Sequence, residues 1–347
     1  MRAPRLQRRS RLFAKMSDAL WAAIPTVDFS AFPPGCASDP EATPEQLETA
    51  LQIDAVCRVH GFLTLSNVGI EPQQLESAFG AAKELFSLPC EEKAKLTRHE
   101  KATGTNRGYF PPDTEALNPA RANDIKEAFN VRATDMERYW AGTPVGFRQK
   151  AEETYAAVAE LAMRVLHACA LALNLPPDFF TSRHEKKDLC TLRLLHYPPT
   201  PAAPGDADAP RGRVRAGEHT DFGAITLVFV DAGGGADAAS GLQVRRPGDA
   251  GWLDVIPPPG TVVVNTGGLL ARWTNDAWVA TAHRVVVTPA SAATARYSMA
   301  YFTDPDSEVM VECLPAYCGP SNPAKYAPIS SLDYLLAKLS EAQRANG

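Results

Sequence analysis

The stretch "ARYSMAYF" (295–302) alternates along its length. With the period of two of a β-strand, Arg296, Ser298, Ala300 and Phe302 share one face, and Tyr297, Met299 and Tyr301 share the other. A guanidinium therefore points the same way as a phenyl ring. If that face is the inside of a barrel, Arg296 needs an anion, because an unpaired buried charge is costly. It can grip a carboxylate with two parallel N–H bonds, and Ser298 can donate a third. The competing reading is an ion pair on the surface.

Outward from this strand, short apolar or alternating runs recur at 190–197, 224–230, 241–246, 252–256, 261–265 and 283–288. Seven short strands with Gly and Pro between them argue for a sandwich or a closed jelly roll. The N-terminal part differs. "IPTVDFS" (24–30) is a strand, and "PEQLETALQIDAVCRVHG" (44–61) carries Leu47, Leu51, Ala55 and Val59 at helical spacing before a Gly cap. A second strand follows at 62–69, then a helix from Pro72 with Leu75, Phe79, Ala82 and Phe86 on one side. The segment 149–174 repeats Tyr155, Val158, Ala162, Val165 and Cys169, giving one long scaffold helix. Between them, 100–145 reads as a long loop over something functional, and 206–217 and 231–241 as flexible connections. The expected fold is mainly β with flanking helices: a double-stranded β-helix (jelly roll, cupin-like) core with an N-terminal α/β region. The expected divisions are an extension at 1–20, the N-terminal region at 21–145, the scaffold helix at 146–187, the barrel core at 188–310 and a C-terminal helical segment at 311–347.

Composition narrows the function classes. A 45% hydrophobic and 22% charged chain with net charge -5 is that of an ordinary globular protein. Beyond the first fifteen residues no dense Lys/Arg run offers a nucleic-acid surface. No uninterrupted apolar stretch reaches the roughly 18 residues of a membrane span, so neither nucleic acid nor membrane is an expected partner. Seven scattered cysteines without a C-x-x-C pair read as reduced thiols. The first twenty residues hold five Arg and one Lys before the first acid, Asp18. That is the composition of an organelle transit peptide, but a start at Met16 competes with it; the expected location is cytoplasmic, with mitochondrion or plastid as the alternative if residues 1–15 are a transit peptide.

Three further stretches carry chemistry. In "GEHTDFG" (217–223), His219 and Asp221 flank one threonine and can offer an imidazole nitrogen and a carboxylate oxygen to one cation. The pair alone is also compatible with a polar turn. "ATAHRVVV" (280–287) adds His283, 62 positions after Asp221. Two His and one carboxylate would leave half an octahedron open, which suits Fe(II) and O2 chemistry; the competing reading is a surface histidine. "CTLRLLHYPP" (190–199) places Arg193, Leu195 and Tyr197 on one strand face, with His196 on the other as a structural residue. Arg193 and Tyr197 are candidates for ligand contact, with a salt bridge and core packing as their alternatives.

The ordered set H-T-D, H-R-V and R-Y-S, with "LLHYPP" upstream, resembles the Fe(II)/2-oxoglutarate-dependent dioxygenases of the isopenicillin N synthase-like group. The resemblance covers nearly the whole chain. Within that group, "LRLLHYP", "VRAGEHTDFGAITLVF", "GLQV", "ARWTND" and "RYSMAYF" are most similar to the thymine dioxygenases (thymine 7-hydroxylases) and their fungal relatives. It implies that His219, Asp221 and His283 are iron ligands and the catalytic set, and that Arg296 and Ser298, with Tyr197 nearby, hold the distal carboxylate of 2-oxoglutarate. It implies a substrate pocket at Arg193, Phe222 and Phe302, with Asn106, Arg107, Tyr109, Lys126 and Glu127 near its entrance. Two departures stand out: Phe222 occupies the place of a usual Tyr, and Gly268 that of a frequent Asp. The implied cofactors are Fe(II), 2-oxoglutarate and O2, with ascorbate as a reductant. The implied reaction hydroxylates a C–H bond of a small aromatic or pyrimidine-like molecule while 2-oxoglutarate becomes succinate and CO2. Desaturation, cyclisation or epoxidation of a specialised metabolite is the alternative outcome. The sequence does not set the oligomeric state, and a monomer is compatible with such a site.

Other classes fit less well. "DFG" (221–223) coincides with a kinase tripeptide, but no H-R-D-x-x-x-x-N or V-A-I-K accompanies it. A cupin-like hydrolase or isomerase gives R-x-S no task. A non-catalytic cupin-like metal- or ligand-binding protein has no use for both a triad and an anion clamp.

Overall fold

A computed structural model of the chain describes residues 23–97, 107–115, 124–134, 136–200, 214–231, 241–246, 251–288 and 292–344. The N-terminal extension, Met16, Asn106 and most of the two Gly-rich connections lie outside the described residues.

The N-terminal region opens with β1 (Thr26–Asp28), α1 (Pro44–Val59), β2 (Phe62–Ser66), α2 (Pro72–Phe86) and the short α3 (Cys90–Lys95). Helix α1 starts on a proline behind a capping box: the Thr43 hydroxyl accepts from Gln46 N–H at 3.2 Å, and the Gln46 side chain accepts from Thr43 N–H at 2.9 Å. Its buried face differs from the stripe expected from sequence. Leu47 and Leu51 are exposed, while Ala50, Ile53, Val56 and Cys57 are buried together with the polar Thr49 and Asp54. The reason is a polar anchor. Asp54 accepts from Trp278 Nε1 at 2.9 Å and from Arg58 Nε at 2.8 Å, which turns the Asp54 side of the helix inward.

The stretch read as a long loop contains β3 (Gly108–Phe110), β4 (Glu127–Val131) and the single turn α4 (Glu137–Trp140). Helix α5 (Phe147–Ala172) is the scaffold. By length and composition it could cross a membrane, but 72% of its apolar window is buried inside the structure, as befits a core helix.

The core strands are β5 (Thr191–Tyr197), β6 (Ala216–His219), β7 (Ile225–Val230), β8 (Leu242–Arg245), β9 (Trp252–Asp254) and β10 (Val262–Thr266). After the short helix α6 (Gly268–Trp273) come β11 (His283–Val285) and β12 (Arg296–Thr303), and the described chain ends with β13 (Met310–Val311), β14 (Ile329–Ser330) and α7 (Ser331–Arg344). Two sheets form the double-stranded β-helix: a large one in the order β1-β2-β10-β7-β12-β5-β4-β3 and a small one in the order β6-β11-β8-β9.

The faces of these sheets sort by alternation. Phe62, Val263, Ala216, Leu242, Val244 and Val285 pack between the two sheets, and Ala128, Leu195, Tyr197 and Ala300, with Phe110 and Phe302, form a second interior cluster. The opposite face of the large sheet, including Leu192, Leu194, Phe129, Met299 and Tyr301, packs with α1, α2 and α5 into one extended core. The interior face is left to carry the site.

Candidate metal centre and co-substrate clamp

His219 ends β6 and His283 begins β11, and the two are direct partners across the small sheet. Their ring centres lie 4.3 Å apart. His219 Nδ1 faces the Gly217 carbonyl at 2.7 Å and His283 Nδ1 faces the Thr281 carbonyl at 3.2 Å. A carbonyl can only accept, so Nδ1 carries a proton in both rings and Nε2 is the nitrogen left to face the cluster. Both Nε2 atoms point to one oxygen of Asp221, Oδ1, at 3.7 and 3.8 Å. Those separations are too long for hydrogen bonds. The three donor atoms lie within 4.8 Å of one another, a spread that a single cation bridges.

Electrostatics keep His219 and Asp221 in ligand form. Burial, followed by the neighbouring His283, pushes the His219 pKa down to about 4, so its imidazole is neutral near pH 7. Burial opposes ionisation of Asp221, but His283, His219 and hydrogen bonds from Asn265 and Thr226 outweigh it and hold the carboxyl below its usual range. Asn265 Nδ2 donates to Asp221 Oδ2 at 2.7 Å, which leaves Oδ1 turned to the imidazoles.

The loop after β6 is clasped by backbone. Gly268 N–H donates to Asp221 O at 2.8 Å, Leu269 N–H to Phe222 O at 3.0 Å and Ala224 N–H to Thr303 O at 2.8 Å. A Cβ on Gly223 would stand 2.7 Å from Thr303 O, and one on Gly267 would run into Gly223 O, so both positions require glycine. At Gly268, where an Asp is frequent in the group the sequence resembles, a Cβ would meet the Tyr334 hydroxyl of α7. The C-terminal helix fills the space that the missing side chain would take.

A second polar site sits on the same interior face. Arg296 and Tyr197 are register partners on β12 and β5. The guanidinium carbon of Arg296 lies 5.0 Å from the Tyr197 ring centre, and its Nη1 donates to Ser298 Oγ at 3.1 Å. Arg296 is 1% exposed, and burial holds its pKa below the usual arginine value. Among the described residues its Nε has no hydrogen-bond partner and no carboxylate pairs with it. A buried cation of this kind fits an anionic ligand.

The residues assigned to a substrate pocket separate into groups. Arg193 and Phe302 lie on the interior face, with the Arg193 guanidinium carbon 5.1 Å from the Phe110 ring centre and Phe302 against the interior cluster. Phe222 is half-buried in the loop beside Asp221. Tyr109 and Glu127 are not brought to this face. The Tyr109 hydroxyl donates to Glu127, which also binds Lys93 Nζ at 2.8 Å and His196 Nδ1 at 2.7 Å on the helix side of the sheet. Alternation explains it, since Phe110 and Ala128 take the interior positions between them. Arg107 is buried, with Nε donating to the Thr134 carbonyl at 3.2 Å. Lys126 stays near the interior, paired with Asp124.

Sequence reasoning passed over three residues. Asn265 was legible as the one amide on the interior face of "VVVNT". Asp124, which accepts from Gly217 N–H at 2.8 Å, and Glu115, which ion-pairs with Arg193, lie in segments without periodicity and gave no signal.

Comparison with known proteins decides the family. Residues 189–305 match the 2OG-Fe(II) oxygenase superfamily, and residues 24–145 match the N-terminal region described as non-haem dioxygenase in morphine synthesis. The 2-oxoglutarate-Fe(II) type oxidoreductase hxnY of Emericella nidulans is 32% identical over 90% of this chain and 88% of its own length. The chain is a 2-oxoglutarate- and Fe(II)-dependent oxygenase. Among solved structures of this superfamily, the thymine 7-hydroxylase of Neurospora crassa in complex with alpha-KG and thymine superposes with a TM-score of 0.76 at 33% identity, over 92% of this chain and 96% of that one. A 2OG-Fe(II) oxygenase family protein of Caulobacter crescentus gives 0.73 at 30%, over 92% and 99%.

The oxygenase family uses Fe(II) and 2-oxoglutarate, and the donors described above fit both. Two imidazoles and one carboxylate suit a divalent iron with open positions, and Arg296, which no described acid meets, suits a carboxylate. Bound Fe(II), with 2-oxoglutarate and O2, supplies the oxidising power for C–H chemistry as the co-substrate loses CO2.

Proposed function

We propose that this oxygenase hydroxylates a C–H bond of a small, planar, pyrimidine-like molecule, coupled to conversion of 2-oxoglutarate to succinate and CO2. His219, Asp221 and His283 hold the iron in this reading. Arg296, Ser298 and Tyr197 orient 2-oxoglutarate by its distal carboxylate, and Phe302, Phe222 and Arg193 receive the substrate. The observation that carries the reading is the pairing, inside one barrel, of a His-Asp-His cluster with a buried Arg296 that no described acid meets. Phe302 and Phe110 near Arg193 supply flat apolar walls and one polar handle, which favours a ring with a polar edge. The 33% identical Neurospora enzyme with thymine bound supports the same class.

The barrel's own groups do the positioning. Asn265 pins one oxygen of Asp221, the two backbone carbonyls fix the imidazole tautomers, and the apolar interior excludes water. The test is succinate release from 2-oxoglutarate across thymine, uracil derivatives and larger specialised metabolites, with product masses. Release that rises with a pyrimidine and a product 16 Da heavier is the expected result. A product 2 Da lighter, or stimulation only by larger metabolites, would replace hydroxylation or the substrate class.

A further inference from the structure

Beyond the clamp, the interior face ends in a balanced set of charges. Arg193 projects from β5 in register with Ala300 and Asn130. Glu115, on the segment after β3, ion-pairs with Arg193 through Oε2 and lies 3.9 Å from Lys126 Nζ. Lys126 in turn pairs with Asp124, whose other oxygen holds the backbone two residues before His219. Lys126 and Asp124 are almost fully buried, whereas the Glu115 side chain keeps 29% exposure and is the most exposed of the four. Among the described residues, two cations thus face two carboxylates.

That balance has a consequence for recognition. An Arg without a partner in a substrate pocket selects carboxylates, as Arg296 is placed to do at the clamp. At Arg193 the charge is already answered by Glu115, and a second carboxylate would add an unmatched negative charge to a partly desolvated wall. A guanidinium has five N–H donors and a carboxylate about four lone-pair sites, so one ion-pair contact leaves both groups able to bond further. Side by side they offer a donor and an acceptor, the complement of the C=O and N–H of a ring amide.

We propose that Glu115 is a specificity-determining residue: by neutralising Arg193 it restricts the pocket to uncharged planar molecules with adjacent C=O and N–H groups and turns anionic ones away. This rests on the substrate site proposed above. Calorimetric titration of the protein loaded with Mn(II) and 2-oxoglutarate tests it with thymine and 3-methylbenzoate, two methyl-bearing rings of similar size and different charge. The wild type should bind thymine at least tenfold more tightly. Glu115→Gln should shrink that ratio tenfold or invert it, and Glu115→Ala should move it in the same direction. Equal affinities in the wild type, binding of neither probe, or variants that weaken both probes alike would overturn the proposal. Succinate release by the wild type without either probe reports on the oxygenase reading separately; if it occurs while no charge preference is found, only the role of Glu115 falls.

Discussion

Arg296 is a cation folded into a β-barrel with no described acid to meet it, and it was foreseeable from one alternating octapeptide. Replacing it by Ala should remove a charge-assisted contact of about 1.5–3 kcal/mol, raising the KM for 2-oxoglutarate roughly 10- to 150-fold. Fe(II) demand should change little, and steady-state assays varying each separately will show it. Equal effects on both would count against the clamp. Asn265 makes a different prediction. Its amide holds Asp221 Oδ2 at 2.7 Å, so Asn265→Ala should weaken Mn(II) affinity about 10- to 100-fold while 2-oxoglutarate binding to the metal-loaded protein stays near wild type. Arg296 and Ser298 could be singled out by strand alternation and His219 and Asp221 by their short spacing, whereas His283, 62 positions on, joined them through the family resemblance. Glu115 and Asp124 could not, because they lie in stretches without periodicity and are placed by tertiary partners, Arg193 and the Gly217 N–H.

At the scale of elements, all seven strands read from periodicity are present, several of them shorter than the apolar runs. Strand β6, which carries His219, was hidden behind a Gly-rich, polar sequence; it exists because β11 pairs with it, a tertiary cause that propensity does not record. Helix α1 shows the opposite case. Its leucines suggested one face, and Asp54 chose another by bonding Trp278 across the core. Asp54→Ala would leave the Trp278 N–H without its acceptor at a site that is 0% exposed, so it should cost about 1–3 kcal/mol of stability. A lower urea midpoint with an unchanged slope will test this; an unchanged midpoint would mean that the anchor does not orient the helix.

Over the whole molecule, the large sheet presents one face to α1, α2 and α5 and the other to the small sheet, which confines every polar group of the site to a single interior. The order of strands explains why residues as distant as His219, Asn265, His283 and Arg296 meet there. The fold class was visible in strand number and spacing, whereas the eight-strand extent of the large sheet depended on β3 and β4, which lie in a stretch rich in Gly, Pro and Asn. In the proposed reading, one barrel interior holds Fe(II) on His219, Asp221 and His283 and 2-oxoglutarate on Arg296. Visible absorption under anaerobic conditions tests it most directly. Adding Fe(II) and 2-oxoglutarate together should produce a weak charge-transfer band that is absent with either alone and lost in His219→Ala and Asp221→Ala. A wild-type protein that stays colourless, or variants that keep the band, would contradict the account.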